Sequence, residues 1–226
     1  MALRPDGALC SDRLGRRDRS DAEKTLSVPH RKLRSPRGGF SMTAARSDGT
    51  RAPAQPGAVV HPIPPLYDSR SRILILGSFP SVKSRESGFF YGHPQNRFWS
   101  VTAALFGESV PRTVEEKRSF LLRNRIALWD VIRSCEIVGS SDASIRNAVA
   151  NDLSIILETA DIETVFVNGK TAWKYYRRYT QPLTGREAVC LPSTSPANAA
   201  LRLPELIEAW RVILPPVPAG KEAHPL

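Results

Sequence analysis

Four short apolar runs set the pattern of the chain: Ile73–Leu76, Ile126–Val131, Thr164–Gly169 and Ala188–Pro192. Their length, and stops such as Gly77 after the first, predict strands buried on both faces rather than helices. Between them, amphipathic stretches at Asn96–Phe106, Val114–Arg123, Ala143–Glu158 and Thr171–Tyr179 predict helices. A last helix is expected over Pro204–Leu214, with Pro204 in its first turn and Pro215–Pro216 ending it. Strands alternating with helices imply the α/β class: a three-layer α/β/α sandwich around a central, mainly parallel four-stranded sheet. Ligands of such sheets bind at the carboxyl ends of the strands. The loops after Leu76, Trp129, Val167 and Leu191 are therefore expected to converge on one site.

Upstream of Ser71 this patterning is missing. Residues 1–60 are rich in Arg, Ser, Asp, Gly and Pro and read as a disordered basic tail, because they cannot bury enough apolar surface to offset the entropy of ordering them. The folded domain is assigned to residues 61–216 and a short disordered tail to 217–226. The 226 residues thus hold one domain of ordinary size and exclude two large ones.

Charge adds the class of partner. The chain carries 32 Lys and Arg against 22 Asp and Glu, a net +10, which points to polyanions. Residues 1–51 hold 12 basic and 6 acidic residues, so the tail is far more basic than the body, and it is expected to add nonspecific electrostatic affinity for nucleic acid. Three well-separated cysteines, Cys10, Cys135 and Cys190, fit a reducing cytoplasm and exclude four-cysteine metal sites. The apolar runs are too short to span a bilayer, so no membrane association is expected.

The unusual residues lie in the strand-end loops. GSFPS (Gly77–Ser81) and GFFYGHPQNRFW (Gly88–Trp99) follow the first strand, and LPSTSPANA (Leu191–Ala199) follows the last. Gly77, Pro80 and Gly88 build a tight turn whose N–H groups can face a ligand. Phe89, Phe90 and Tyr91 place rings where an extruded base could stack, or where they could equally pack beneath the loop. Asn96 could hold a water or a base edge, and it is also a favoured N-cap for a helix starting at Arg97. His93 could exchange a proton or serve only as a hydrogen-bonder. Ser193, Ser195 and Asn198 stand in a Pro-punctuated loop suited to a phosphate backbone. Gly169 and Lys170 open a helix whose N-terminus would favour a phosphate. Asp142 reads as the cap of a helix beginning near Ser144, while nothing in the spacing gives Asp130 a role.

On the motifs GSFPS…YGHPQNRFW and STSPAN, in that order across the α/β pattern, the chain resembles the uracil-DNA glycosylase superfamily. Within it the resemblance is closest to the hypoxanthine-DNA (deoxyinosine) glycosylase family, and it covers roughly Arg72–Leu214. The resemblance implies a monofunctional glycosylase that flips a deaminated base out of DNA and hydrolyses its N-glycosidic bond. It implies base contacts from Gly77, Ser78, Phe79 and Tyr91, with Tyr91 as the stacking ring, and catalytic roles for Asn96 and Ser193. DNA contacts would come from Ser81, Gly169, Lys170, Ser195 and Asn198. Two positions depart from the superfamily: Phe79 stands where a catalytic Asp or Asn is usual, and Ser193 where several families carry a His. No metal and no cofactor is called for.

The expected protein is a monomeric, cytoplasmic, nucleoid-associated enzyme whose partner is DNA holding a deaminated base, most of all hypoxanthine. A glycosylase for uracil or another deaminated base, and a catalytically silent DNA-binding module, are the alternatives.

Overall fold

A computed structural model describes residues 58–215. The stretches read as tails fall almost wholly outside these residues; at the boundary, Val59–Val60 already form a strand. The strands are β1 (Val59–Val60), β2 (Ile73–Gly77), β3 (Ile126–Asp130), β4 (Ile132–Glu136), β5 (Arg146–Ala150), β6 (Thr164–Asn168) and β7 (Ala188–Leu191). The helices are α1 (Val82–Ser87), α2 (Phe98–Phe106), α3 (Val114–Arg123), α4 (Ser154–Leu157), α5 (Lys170–Tyr175), α6 (Gln181–Thr184) and α7 (Leu203–Trp210). A π-helical turn, Tyr176–Thr180, joins α5 to α6.

All four apolar runs form strands of one parallel sheet, in the order β3-β2-β6-β7. Such strands are covered on both faces, which is why Ile73–Leu76 shows no polar alternation and Leu74, Ile75 and Leu76 are fully buried. From β2 the chain steps outward to β3, then crosses back to β6 and on to β7. Right-handed crossovers therefore put α1–α3 on one face and the helices after β3 on the other. After β7, α7 returns to the first face against α2, where Trp210 meets Phe98 edge-on at 5.8 Å. This completes the three layers.

The helix α3 begins and ends where the amphipathic pattern puts it, with Thr113 and Glu116 closing a capping box. The stretch Ala143–Glu158 does not form the expected helix. It divides into a single 3-10 turn (Asp142–Ser144), strand β5 and the short α4. β5 is captured by β4, which pairs with it and with β1 in an antiparallel sheet of order β1-β4-β5. Residues 61–66 run beside β3 and β4: His61 N–H donates to the Arg133 carbonyl at 2.8 Å, and Leu66 and Leu128 exchange bonds of 3.0 and 2.8 Å. That path carries His61 beneath the carboxyl end of β3.

Candidate functional site

The carboxyl ends of β2, β3, β6 and β7 surround a cleft of about 270 Å³. The sequence-predicted residues converge there, all but Gly169, Lys170 and Asn198. Its lining includes three further residues at strand ends or just beyond them, Asp130, Asn168 and Thr194.

Gly77 ends β2 beside Asp130, its register partner at the end of β3. A Cβ on Gly77 would lie 2.1 Å from Asp130 Oδ1, so only glycine leaves room for that carboxylate. Asp130 is 5% exposed, and its Oδ2 accepts the Nε2–H of the buried His61 at 2.8 Å. The ring's other nitrogen, Nδ1, accepts the Ile63 N–H at 3.2 Å. With Nδ1 an acceptor, the imidazole proton resides on Nε2.

Phe79 is buried and meets the His61 ring edge-on at 5.8 Å. It offers no group able to polarise water. Tyr91 adopts a left-handed backbone, φ 52°, a strained conformation of the kind that gathers at functional sites. One face of its ring stacks on Phe98 at 4.0 Å. Its hydroxyl is buried without a hydrogen-bond partner among the described residues. Burial, and then the Asp130 charge, push the Tyr91 pKa far up against a smaller opposing influence of the nearby Asn168 side chain, so the phenol keeps its proton. Phe89 and Phe90 pack as core.

Asn96 Oδ1 accepts the Phe98 N–H at 3.0 Å, at the start of α2. The helix starts one residue later than expected, with Arg97 at its N-cap, so Asn96 anchors the entry to α2 rather than capping it, and the bond leaves the amide NH₂ as the free end of the side chain. His93 Nδ1 likewise accepts a local bond, from Gln95 N–H at 3.2 Å. Ser81 caps α1, and Ser78 Oγ donates to Asp142 Oδ1 at 2.9 Å. Asp142 therefore faces the cleft rather than capping a helix. Desolvation raises its pKa against the opposing bond from Ser78.

The Ser193–Asn198 loop spends most of its polar groups on its own shape. Ser193 Oγ accepts Ser195 N–H at 3.2 Å, Ser195 Oγ accepts Ala197 N–H at 3.3 Å, and Asn198 Nδ2 donates to the Ser193 carbonyl at 2.8 Å. The N–H groups of Thr194, Ser195, Ala197 and Asn198 are all engaged, so few remain for a phosphate. Two residues absent from the sequence reading hold this loop in place. Asn168 bonds Thr194 twice, and Arg97 donates to the carbonyls of Ser195, Asn198 and Leu201. Gly169, at φ 98°, lets the turn after β6 approach Ser193, and its N–H is bonded to the Leu191 carbonyl at 2.9 Å. Lys170 is exposed and stands outside the cleft.

His61 gave no usable sequence signal, lying 69 residues from its partner, whereas Asp130 carried one as the acid ending an apolar strand. Asn168 carried one too, as the polar residue ending an apolar strand. Among the described residues no helix is long and apolar enough to cross a membrane, and no group of three or more His, Cys, Asp or Glu could hold a metal.

A family model for the uracil DNA glycosylase superfamily matches residues 64–213. Two relatives named hypoxanthine DNA glycosylase, from Methanosarcina barkeri and Methanosarcina acetivorans, are 35% and 36% identical over 140 residues, 60% of this chain and 85% of theirs. A solution NMR structure of a protein assigned as a uracil DNA glycosylase from Methanosarcina acetivorans superposes with a TM-score of 0.57. It is 33% identical, and the match covers 67% of this chain and 96% of that one.

Proposed function

Because the chain belongs to the uracil DNA glycosylase superfamily, we propose that it is a monofunctional DNA glycosylase that excises hypoxanthine from deoxyinosine and leaves an abasic site. The observation that carries this reading is the convergence of both motif loops on one base-sized cleft at the carboxyl ends of the parallel strands. At about 270 Å³ it falls just below the roughly 300–1,000 Å³ typical of drug-sized ligands, which suits a single extruded base. The two Methanosarcina relatives support hypoxanthine as that base.

The chemistry is hydrolysis. A water oxygen bonds to C1′ as the C1′–N9 bond breaks, the electron pair leaves with the purine, and the proton released by the water ends on the base or in solvent. The Asn96 NH₂ is free to donate, and an amide is too weak a base to take a proton, so Asn96 serves the departing base or the water oxygen as a positioned dipole. The Ser193 hydroxyl, already accepting from Ser195, has its own proton to donate to the same leaving group. Tyr91, its ring backed by Phe98, closes the floor of the cleft on which the leading edge of the base comes to rest. No lysine lines the cleft, which supports hydrolysis over a Schiff-base route with strand cleavage.

Extrusion costs a few kcal/mol, least for an already weakened pair, and so contributes to selection of the lesion. The enzyme is proposed to act as a monomer in the cytoplasm on nucleoid DNA, with the basic N-terminal stretch adding nonspecific affinity.

The test is single-turnover incubation with duplexes bearing inosine, uracil or no lesion, followed by alkali to reveal abasic sites. Cleavage at inosine is the expected result. Cleavage at uracil alone would reassign the substrate, and tight binding without product from any duplex would overturn the enzyme reading.

A further inference from the structure

Two polar atoms at the floor of the cleft have no partner. His61 engages Asp130 Oδ2, whereas Asp130 Oδ1 meets no hydrogen-bond donor among the described residues and occupies the space above Gly77 where a side chain would otherwise be. Tyr91 Oη lies 3.4 Å from that same point, equally unpartnered. Left unpaired and buried, the Tyr91 hydroxyl costs on the order of 1–3 kcal/mol; with a carboxylate oxygen free toward the same cleft, it indicates a ligand edge that engages both. The carboxylate can only accept, and the phenol, which keeps its proton, can donate.

Depth in the cleft decides which edge arrives there. Asp130 is buried, while Pro196 and Ala197 line the same cleft exposed. A base tethered through N9 enters with its six-membered ring foremost. In hypoxanthine that leading edge carries N1–H beside C6=O, a donor next to an acceptor. In adenine it carries an N1 lone pair beside an amino group.

We propose that Asp130 Oδ1 accepts N1–H and Tyr91 Oη donates to O6, so that these two residues read the lactam edge, and that His61 is a positioning residue that fixes Asp130. The proposal rests on the glycosylase reading above. Adenine would set its N1 lone pair against a carboxylate and leave that oxygen unpaired, the arrangement by which polar sites reject near-isosteres most strongly. His61 lies outside the 64–213 match to the superfamily, so the clamp on Asp130 comes from a segment the family model does not span.

The clamp makes a directional prediction. His61 presents an N–H to residue 130, so in Asp130→Asn the amide oxygen turns to His61 and the NH₂ faces the cleft. The polarity of the reader inverts. Single-turnover rates would be measured on duplexes carrying inosine, 1-methylinosine (N1–H replaced by methyl) and nebularine (bare N1, no O6), each divided by that nucleoside's uncatalysed depurination rate. The wild type should cut the two analogues roughly 10–100-fold more slowly than inosine. Asp130→Asn should lose inosine excision by a similar factor and shift its preference toward nebularine. His61→Phe should erode the inosine-to-nebularine ratio, and His61→Gln, which retains an N–H donor, should restore part of it.

An Asp130→Asn enzyme with the wild-type rate and ratio overturns the inference while leaving the glycosylase reading intact. A wild type inert on inosine overturns that reading instead. Should Asp130→Asn fail to fold, the wild-type series alone decides: equal normalised rates on all three bases overturn the inference.

Discussion

Asn168 and Thr194 bond each other twice: Asn168 Nδ2 donates to Thr194 Oγ1 at 2.8 Å, and Thr194 N–H donates to Asn168 Oδ1 at 2.9 Å. Both residues are buried, so this reciprocal pair fixes the Ser193–Asn198 loop to the end of β6. Asn168→Ala leaves Thr194 N–H and Oγ1 unsatisfied and should cost about 1–3 kcal/mol. Thermal unfolding measures that loss. A larger fall in base excision than in DNA binding would be expected, because the loop forms one wall of the cleft.

Asn96 serves α2 through Oδ1 and the cleft through Nδ2, and two substitutions separate these functions. Asn96→Asp keeps the acceptor for Phe98 N–H and removes the donor. It should fold with near wild-type stability yet lose roughly 10²–10³ in single-turnover rate, the range for removing one positioned donor. Asn96→Ala removes both and should additionally lower stability by about 1 kcal/mol. Undiminished excision by Asn96→Asp would reduce Asn96 to an anchor for the start of α2.

Gly77 has no space for even one methyl group. Gly77→Ala sets Cβ 2.1 Å from Asp130 Oδ1, and His61 prevents the carboxylate from turning away freely. Overpacking of this kind costs about 1–3 kcal/mol. Calorimetry should show the lowered Tm, and inosine excision should fall further than stability alone explains because the displaced oxygen faces the cleft.

Asp142 offers a test with a sign. Desolvation raises its folded-state pKa above the unfolded value, so its favourable contribution is full at acid pH and is lost as pH rises through the folded pKa. Asp142→Asn, which never ionises, should therefore gain in Tm relative to wild type as pH rises from acid to neutral. The opposite slope would mean that the bond from Ser78 outweighs burial.

The parallel sheet was legible because its inner strands and β3 are buried on both faces, and burial leaves an unbroken apolar run of strand length, as in Ile73–Leu76. The antiparallel sheet was not. β4 carries polar residues at Arg133, Ser134 and Glu136, and Ile145, Val149, Leu153 and Ile156 recur at helical spacing although β4 holds Arg146–Ala150, in the middle of that run, extended. Pairing between strands overrode periodicity there. In the site, the loops after β2 could be read because the fold places them: Gly77 and Ser78 at the strand end, and Tyr91 and Asn96 between α1 and α2, all line the cleft. The work of individual atoms could not be read. Asn96's divided side chain and the His61–Asp130 bond depend on contacts to which spacing is blind.

Arg97 is hydrogen-bonded to carbonyls about a hundred residues downstream, at Ser195, Asn198 and Leu201. During synthesis the floor of the cleft can form as soon as β3 has docked on β2, but the wall facing Asn96 must wait until the chain beyond β7 has emerged. A nascent chain halted before Leu201 would carry every cleft-lining residue of the first motif and still lack an enclosed cleft. Competence to hold a base is therefore acquired in a single late step, when the end of the domain closes onto its beginning.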